Sequence, residues 1–183
     1  MRWQALFDDL EAQLEAAQAA ELQGEVRERA RTAQGRVRTV DRLGAAPGSP
    51  LVVHVPGAGA LHGTLRDAGV DWLLLEEHGG REALVPLHAV LSVAGLPRGA
   101  APPDEGVVAR SLDLRWALRG LVRDRAGVAL VLRDGTVVPG TLDRVGADHV
   151  DLAEHAPGEV RRAGAVRGVR LVPLRALAVV RSA

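Results

Sequence analysis

The sequence predicts a mainly β protein with an N-terminal α-helix, built as two tandem five-stranded small barrels, each preceded by a helix. Three observations carry this. GTLRDAGVDWLLLEEH at Gly63–His78 returns as GTLDRVGADHVDLAEH at Gly140–His155, identical at eight of sixteen positions with an offset of 77 residues. LVPLHAVLSV at Leu84–Val93 returns as LVPLRALAVV at Leu171–Val180, identical at six of ten positions with an offset of 87. Short alternating apolar runs separated by Gly, Pro and Asp turns fill both blocks, and a stretch of helix formers precedes each.

Residues 1–46 form a helical arm. They are rich in Ala, Leu, Glu, Gln and Arg, with no Pro before the final turn signal. Trp3, Leu6, Phe7, Leu10 and Leu14 recur at helical spacing, and a weaker stripe runs from Leu22 to Leu43. The first 25 residues hold six acids and one Arg, whereas residues 26–43 hold six Arg and two acids, an order that suits the helix dipole. Gly24 and Gly35 each cost about 1 kcal/mol relative to Ala, so the helix is expected to break near one of them. GAAPGSP at Gly44–Pro50 ends it.

The first barrel spans residues 47–96. Its strands are expected at Leu51–Val55, Leu61–Arg66, Asp71–Glu77, Arg81–Val85 and Val90–Ala94, with a corner at Pro86–Ala89. Residues 97–107 are a linker by composition, PRGAAPPDE at its heart. An Arg-rich helix follows over 108–125, with Ser111 a candidate cap. The second barrel spans 126–183. The change of offset from 77 to 87 places a ten-residue insertion within Ala156–Arg170.

Composition excludes several classes of function. Cys is absent, so there is no disulfide or thiolate chemistry. Arg is the basic residue throughout, with no Lys, and 23 basic residues balance 23 acidic ones. A chain designed as a whole for nucleic acid or an anionic membrane would be basic. MRWQALFDDLEAQ lacks the apolar stretch of a signal peptide, and no apolar run approaches the ~20 residues of a membrane span, so a soluble cytoplasmic protein is expected. There is no Walker loop, dinucleotide fingerprint or Ser-His-Asp order, so no catalytic residue and no cofactor are assigned and the chain is not expected to be an enzyme. The Glu-His pairs Glu77-His78 and Glu154-His155 offer two ligands each, too few for a metal site that needs three or four.

The strand-two Gly (Gly63, Gly140), the Asp at strand three (Asp71, Asp148) and the Val-Pro-Leu corner (Val85–Leu87, Val172–Leu174) together resemble the Sm-like small-barrel fold. The likeness covers roughly residues 40–95 and 115–181. The PRC-barrel group has a similar closing strand and is the alternative fold. The whole chain also resembles an actinobacterial protein family that opens MRW-x-x-LF-x-DLE, for which a Fis-type reading is at odds with the closing strand LVPLRALAVVRS, where a Fis-type protein has a helix-turn-helix. The resemblance to Sm-like proteins implies an RNA-binding Asn in strand three and an Arg-Gly pair near the closing strands. This chain has neither, and its first barrel holds two Arg against five acids over residues 50–96.

The expected function is therefore a non-enzymatic binding or scaffolding module acting by protein–protein contact or self-association. Trp3, Phe7 and Trp72 are the candidate partner contacts. The alternative is a nucleic-acid-binding regulator, RNA or DNA. Its candidate anion contacts are Arg161, Arg162, Arg167 and Arg170 on the insertion, supported by the Arg-rich helix. The two barrels are expected to pair through open strand edges.

Overall fold

Ten strands form where apolar residues alternate. In the computed structural model, which describes residues 21–25, 27–101, 112–159, 162 and 164–182, the first repeat gives β1 (Pro50–Val55), β2 (Gly59–Ala68), β3 (Trp72–Glu77), β4 (Glu82–Pro86) and β5 (Ser92–Ala94). The second gives β6 (Gly127–Leu132), β7 (Val137–Val145), β8 (His149–Glu154), β9 (Gly168–Pro173) and β10 (Leu177–Ser182). The expected second strand of the first repeat, Leu61–Arg66, was two residues too short at each end. Leu61, Leu65 and Leu142 are buried in the cores, and Gly59, Ala60, Asp67 and Ala68 extend the β2 ladder by pairing with β1 and β3.

The repeats match in detail. β2 and β7 each carry a bulge, after Leu65 and after Leu142. Gly63 and Gly140 allow close approach of the neighbouring strand: a Cβ would stand 2.7 Å from the Glu76 carbonyl oxygen or 2.3 Å from that of Ala153. After each Pro a single 3₁₀ turn, Leu87–Ala89 or Leu174–Ala176, makes the corner. Leu87 N–H donates to the Asp71 carbonyl at 2.8 Å and Leu174 N–H to that of Asp148 at 2.7 Å, so both corners are tied to strand three in the same way. The insertion falls where the offset places it. Residues 155–167 connect β8 to β9, against 78–81 between β3 and β4.

The strands do not form two separate closed sheets. They pair antiparallel in a single ten-stranded sheet of order β5-β1-β2-β3-β4-β10-β6-β7-β8-β9. The closing strand β10 lies between β6 of its own repeat and β4 of the other. The cores follow the same exchange. One is built from β1–β4 with Val131, Ala178 and Val179 contributed by the second repeat. The other is built from β6–β10 with Trp72 and Leu84 contributed by the first. A bulge at Ala178 lets Ala178 and Val179, neighbours in sequence, both serve the first core, while Leu177 and Val180 serve the second.

Among the described residues, two helices belong to this unit. α1 (Thr39–Gly44) buries Leu43 in the first core. α2 (Leu114–Asp124) packs on β7 and buries Leu114 and Leu118 in the second. Its cap is Asp113, whose side chain accepts from Trp116 N–H; the expected cap, Ser111, lies outside the described residues, as do Trp3, Phe7 and Arg161. The helix ends at Arg125, left-handed at φ 50°.

Residues 1–38 make a unit of their own. Its described helical residues, 21–25 and 27–34, are exposed. The helix passes through Gly24 and stops at Gly35. Glu25–Arg29 at 3.0 Å and Glu28–Arg31 at 3.6 Å brace it at the spacings where side chains meet on a helix.

Candidate interaction site

The join between the repeats is short and specific. Val180 of β10 faces Leu84 of β4, and Arg181 faces Ala83. The Arg181 guanidinium then reaches over β4 to Glu77 of β3 with two hydrogen bonds, Nε to Oε2 at 2.9 Å and Nη2 to Oε1 at 3.0 Å. Only 11 % of the Glu77 side chain is exposed, so this is a shielded, two-point pair. Glu82 N–H donates to Ser182 Oγ at 2.9 Å. Leu84 is 6 % exposed because the second core covers it.

A second contact lies at the hairpin tips. Gly57, with φ +74°, brings the β1–β2 turn against the β6–β7 turn: a Cβ there would meet the Leu132 carbonyl oxygen at 2.2 Å and the Gly135 nitrogen at 2.6 Å. Only Gly combines that φ with that approach.

One seam leaves two edges. β9 and β5 end the sheet with one paired side each. By the 87-residue offset, β9 is the counterpart of β4 and β5 the counterpart of β10. Leu171 is the counterpart of Leu84 and is 59 % exposed; its neighbour on the same face, Val169, is 64 % exposed. Leu91, just before β5, is the counterpart of the buried Ala178 and is 68 % exposed. Leu84 and Ala178, buried in their own repeats, thus have counterparts, Leu171 and Leu91, that stand in solvent. None of these three was singled out from the sequence. The signal was present in the repeat alignment, but Leu84 and Leu171 read alike until the pairing of β4 is known.

The candidates read from the sequence fall in different places. Trp72 is 4 % exposed: its ring lies in the second core, and its indole N–H donates to the Leu112 carbonyl at 2.9 Å. That placement makes it a strut between the repeats rather than a surface contact. Arg170 is engaged by Glu154 through two hydrogen bonds at 2.7 and 3.1 Å. Arg162 and Arg167 are exposed. Of the two Glu-His pairs, His78 is exposed. His155 is buried and sits 2.8 Å by Nε2 from Thr141 Oγ1 and 3.0 Å by Nδ1 from the Ala156 carbonyl. A carbonyl only accepts, so Nδ1 carries the proton, and in the neutral ring Nε2 accepts from the Thr141 hydroxyl.

A polar hollow of about 590 Å³ opens beside the α2 N-terminus, lined in part by Asp71, His88, Asp113, Arg115, His149 and Arg175. Asp71 Oδ1 accepts from Leu114 N–H at 2.7 Å and so docks the helix on the first repeat. Burial pushes the Asp71 carboxyl above its ordinary range, against the opposing pull of that hydrogen bond. At Asp113 burial is outweighed by the hydrogen bonds from Arg115 and from Trp116 N–H, and its value falls. Among the described residues no three His, Asp or Glu side chains converge as metal ligands, and no helix is long and apolar enough to cross a membrane.

Compared with known proteins, the chain matches no family model and no curated protein.

Proposed function

We propose that this chain is a non-enzymatic protein-binding module, a tandem of two Sm-like small barrels that acts by adding a partner's strand to an open sheet edge. The observation that carries this is the pair of edges β9 and β5, which display Leu171, Val169 and Leu91 while the matching positions Leu84 and Ala178 are buried at the seam. Backbone groups along such an edge give affinity, and apolar side chains beside them give specificity. The Sm-like reading of each half is supported by the repeated Gly, the repeated bulge and the repeated corner. The Arg residues support a nucleic-acid role less well. Arg170 lies on Glu154 and Arg115 on Asp113, and the chain has zero net charge.

The test is affinity capture from the cells that make the protein. Wild type is compared with the triple variant Leu91→Arg, Val169→Arg, Leu171→Arg, whose changes are all at exposed positions. A protein, a second copy of this chain included, that wild type retains and the triple variant loses supports the reading. Identical recoveries from both overturn it.

A further inference from the structure

In the N-terminal unit, the described helical residues 21–25 and 27–34 are all exposed, with Leu22 at 64 %. A helix outside a packed core draws most of its stability from burying its apolar row. We infer that this arm pairs antiparallel with the arm of a second copy, the first half of each lying on the second half of the other. The inference stands apart from the sheet edges and goes beyond the edge-binding reading.

Side-chain size sets the orientation. Trp3, Phe7, Leu10 and Leu14 make a row of large residues at helical spacing. The matching row of the second half, Val26, Ala30 and Ala33, is small. Parallel pairing of identical arms sets each residue beside itself, so Ala meets Ala and the second halves bury little apolar surface. Antiparallel pairing sets large on small, with Phe7 opposite Ala33, Leu10 opposite Ala30 and Leu14 opposite Val26. The steps agree as well. Phe7 to Leu10 to Leu14 and, running back, Ala33 to Ala30 to Val26 both go three residues and then four. That is the spacing of a seam between two helices. Ala30 and Ala33 lie on the described helix and are exposed. Residues 1–20 and Val26 lie outside the described residues, and the sequence spacing alone places them.

Charge points the same way through different residues. Residues 3–17 hold four acids and no Arg, whereas residues 26–37 hold four Arg and one acid. Parallel pairing sets acid on acid and Arg on Arg. Antiparallel pairing sets the block with Asp8, Asp9 and Glu11 against the block with Arg27, Arg29 and Arg31, over the stretch where the apolar rows meet. Arg29 and Arg31 lie on Glu25 and Glu28 of their own helix, but both pairs are exposed and weak, so they give way to a partner at little cost. Each arm offers both halves. Two copies therefore satisfy each other and assembly stops at a dimer.

Sedimentation velocity of the full-length protein across a dilution series tests this. The first variant carries Asp8→Arg, Asp9→Arg and Glu11→Arg. The second carries Arg27→Glu, Arg29→Glu and Arg31→Glu, and the third carries all six changes. Wild type is a dimer that dissociates on dilution. The first and second variants set like charge on like, and their dissociation constants rise by roughly tenfold or more. The third restores opposite charge across an antiparallel pair and dimerises again, which a mere loss of helix in the first two would not allow. The edge variant Leu91→Arg, Val169→Arg, Leu171→Arg dimerises as wild type does. A monomeric wild type overturns the inference, and so does a dimer that the first and second variants both keep. A third variant as monomeric as the first two overturns the antiparallel arrangement. A dimer lost in the edge variant alone overturns the inference and supports the edge-binding reading instead.

Discussion

Arg181 and Glu77 are 104 residues apart in sequence and form a two-point ion pair across the seam between the repeats. Removing the Arg leaves a carboxylate that is 11 % exposed without its partner. Arg181→Ala is expected to cost about 2 kcal/mol of unfolding free energy. Glu77→Gln in that background recovers part of the loss, because the stranded charge is gone. Arg170→Ala, whose pair with Glu154 is far more open to solvent, costs at most about 1 kcal/mol. Urea denaturation of the four proteins checks the order.

Identical residues serve the two repeats unequally at Thr64/His78 and Thr141/His155. Thr141→Val strands Nε2 of the buried His155 and is expected to cost about 1–3 kcal/mol. Thr64→Val strands nothing, since His78 is exposed, and stays within about 0.5 kcal/mol of wild type. The same denaturation measurement compares them; equal losses would contradict the assignment.

The carboxylates at the α2 N-terminus titrate in opposite senses. Burial raises Asp71 above its ordinary value of 3.8, so the folded state takes up this proton at a higher pH than the unfolded chain. Its contribution therefore turns toward folding as pH falls through the raised value, and is unfavourable above it. Asp113, lowered by Arg115 and Trp116 N–H acting against burial, stabilises the fold above the ordinary carboxylate range and loses that as pH falls through its depressed folded value. With stability followed from neutral pH into the carboxylate range, the gap between wild type and Asp71→Asn moves in favour of wild type on acidification. The gap for Asp113→Asn moves the other way.

Much of the architecture was legible because it is local. Alternation marked the strands, the repeat marked the corners at Leu87 and Leu174, and the jump in offset marked the insertion. The seam was not legible in the same way. Leu84 and Leu171 occupy the same letter of the same motif, LVPL, yet one is buried and one exposed. Only the pairing of β4 with β10 separates them, and no local pattern encodes a partner strand from another repeat. Trp72 shows the converse. Trp72 was expected to be a partner contact, but its apolar ring completes a core and its indole N–H finds the Leu112 carbonyl.

Cysteine cross-linking tests the central claim most directly, because the chain has no Cys of its own. Val180→Cys with Leu84→Cys in one chain should close an internal disulfide and calibrate the seam register. The account predicts that this bridge closes under mild oxidation faster than in the control chain that pairs Val180→Cys with Val137→Cys, at an exposed residue outside that register. Bridging no faster than the control would contradict it.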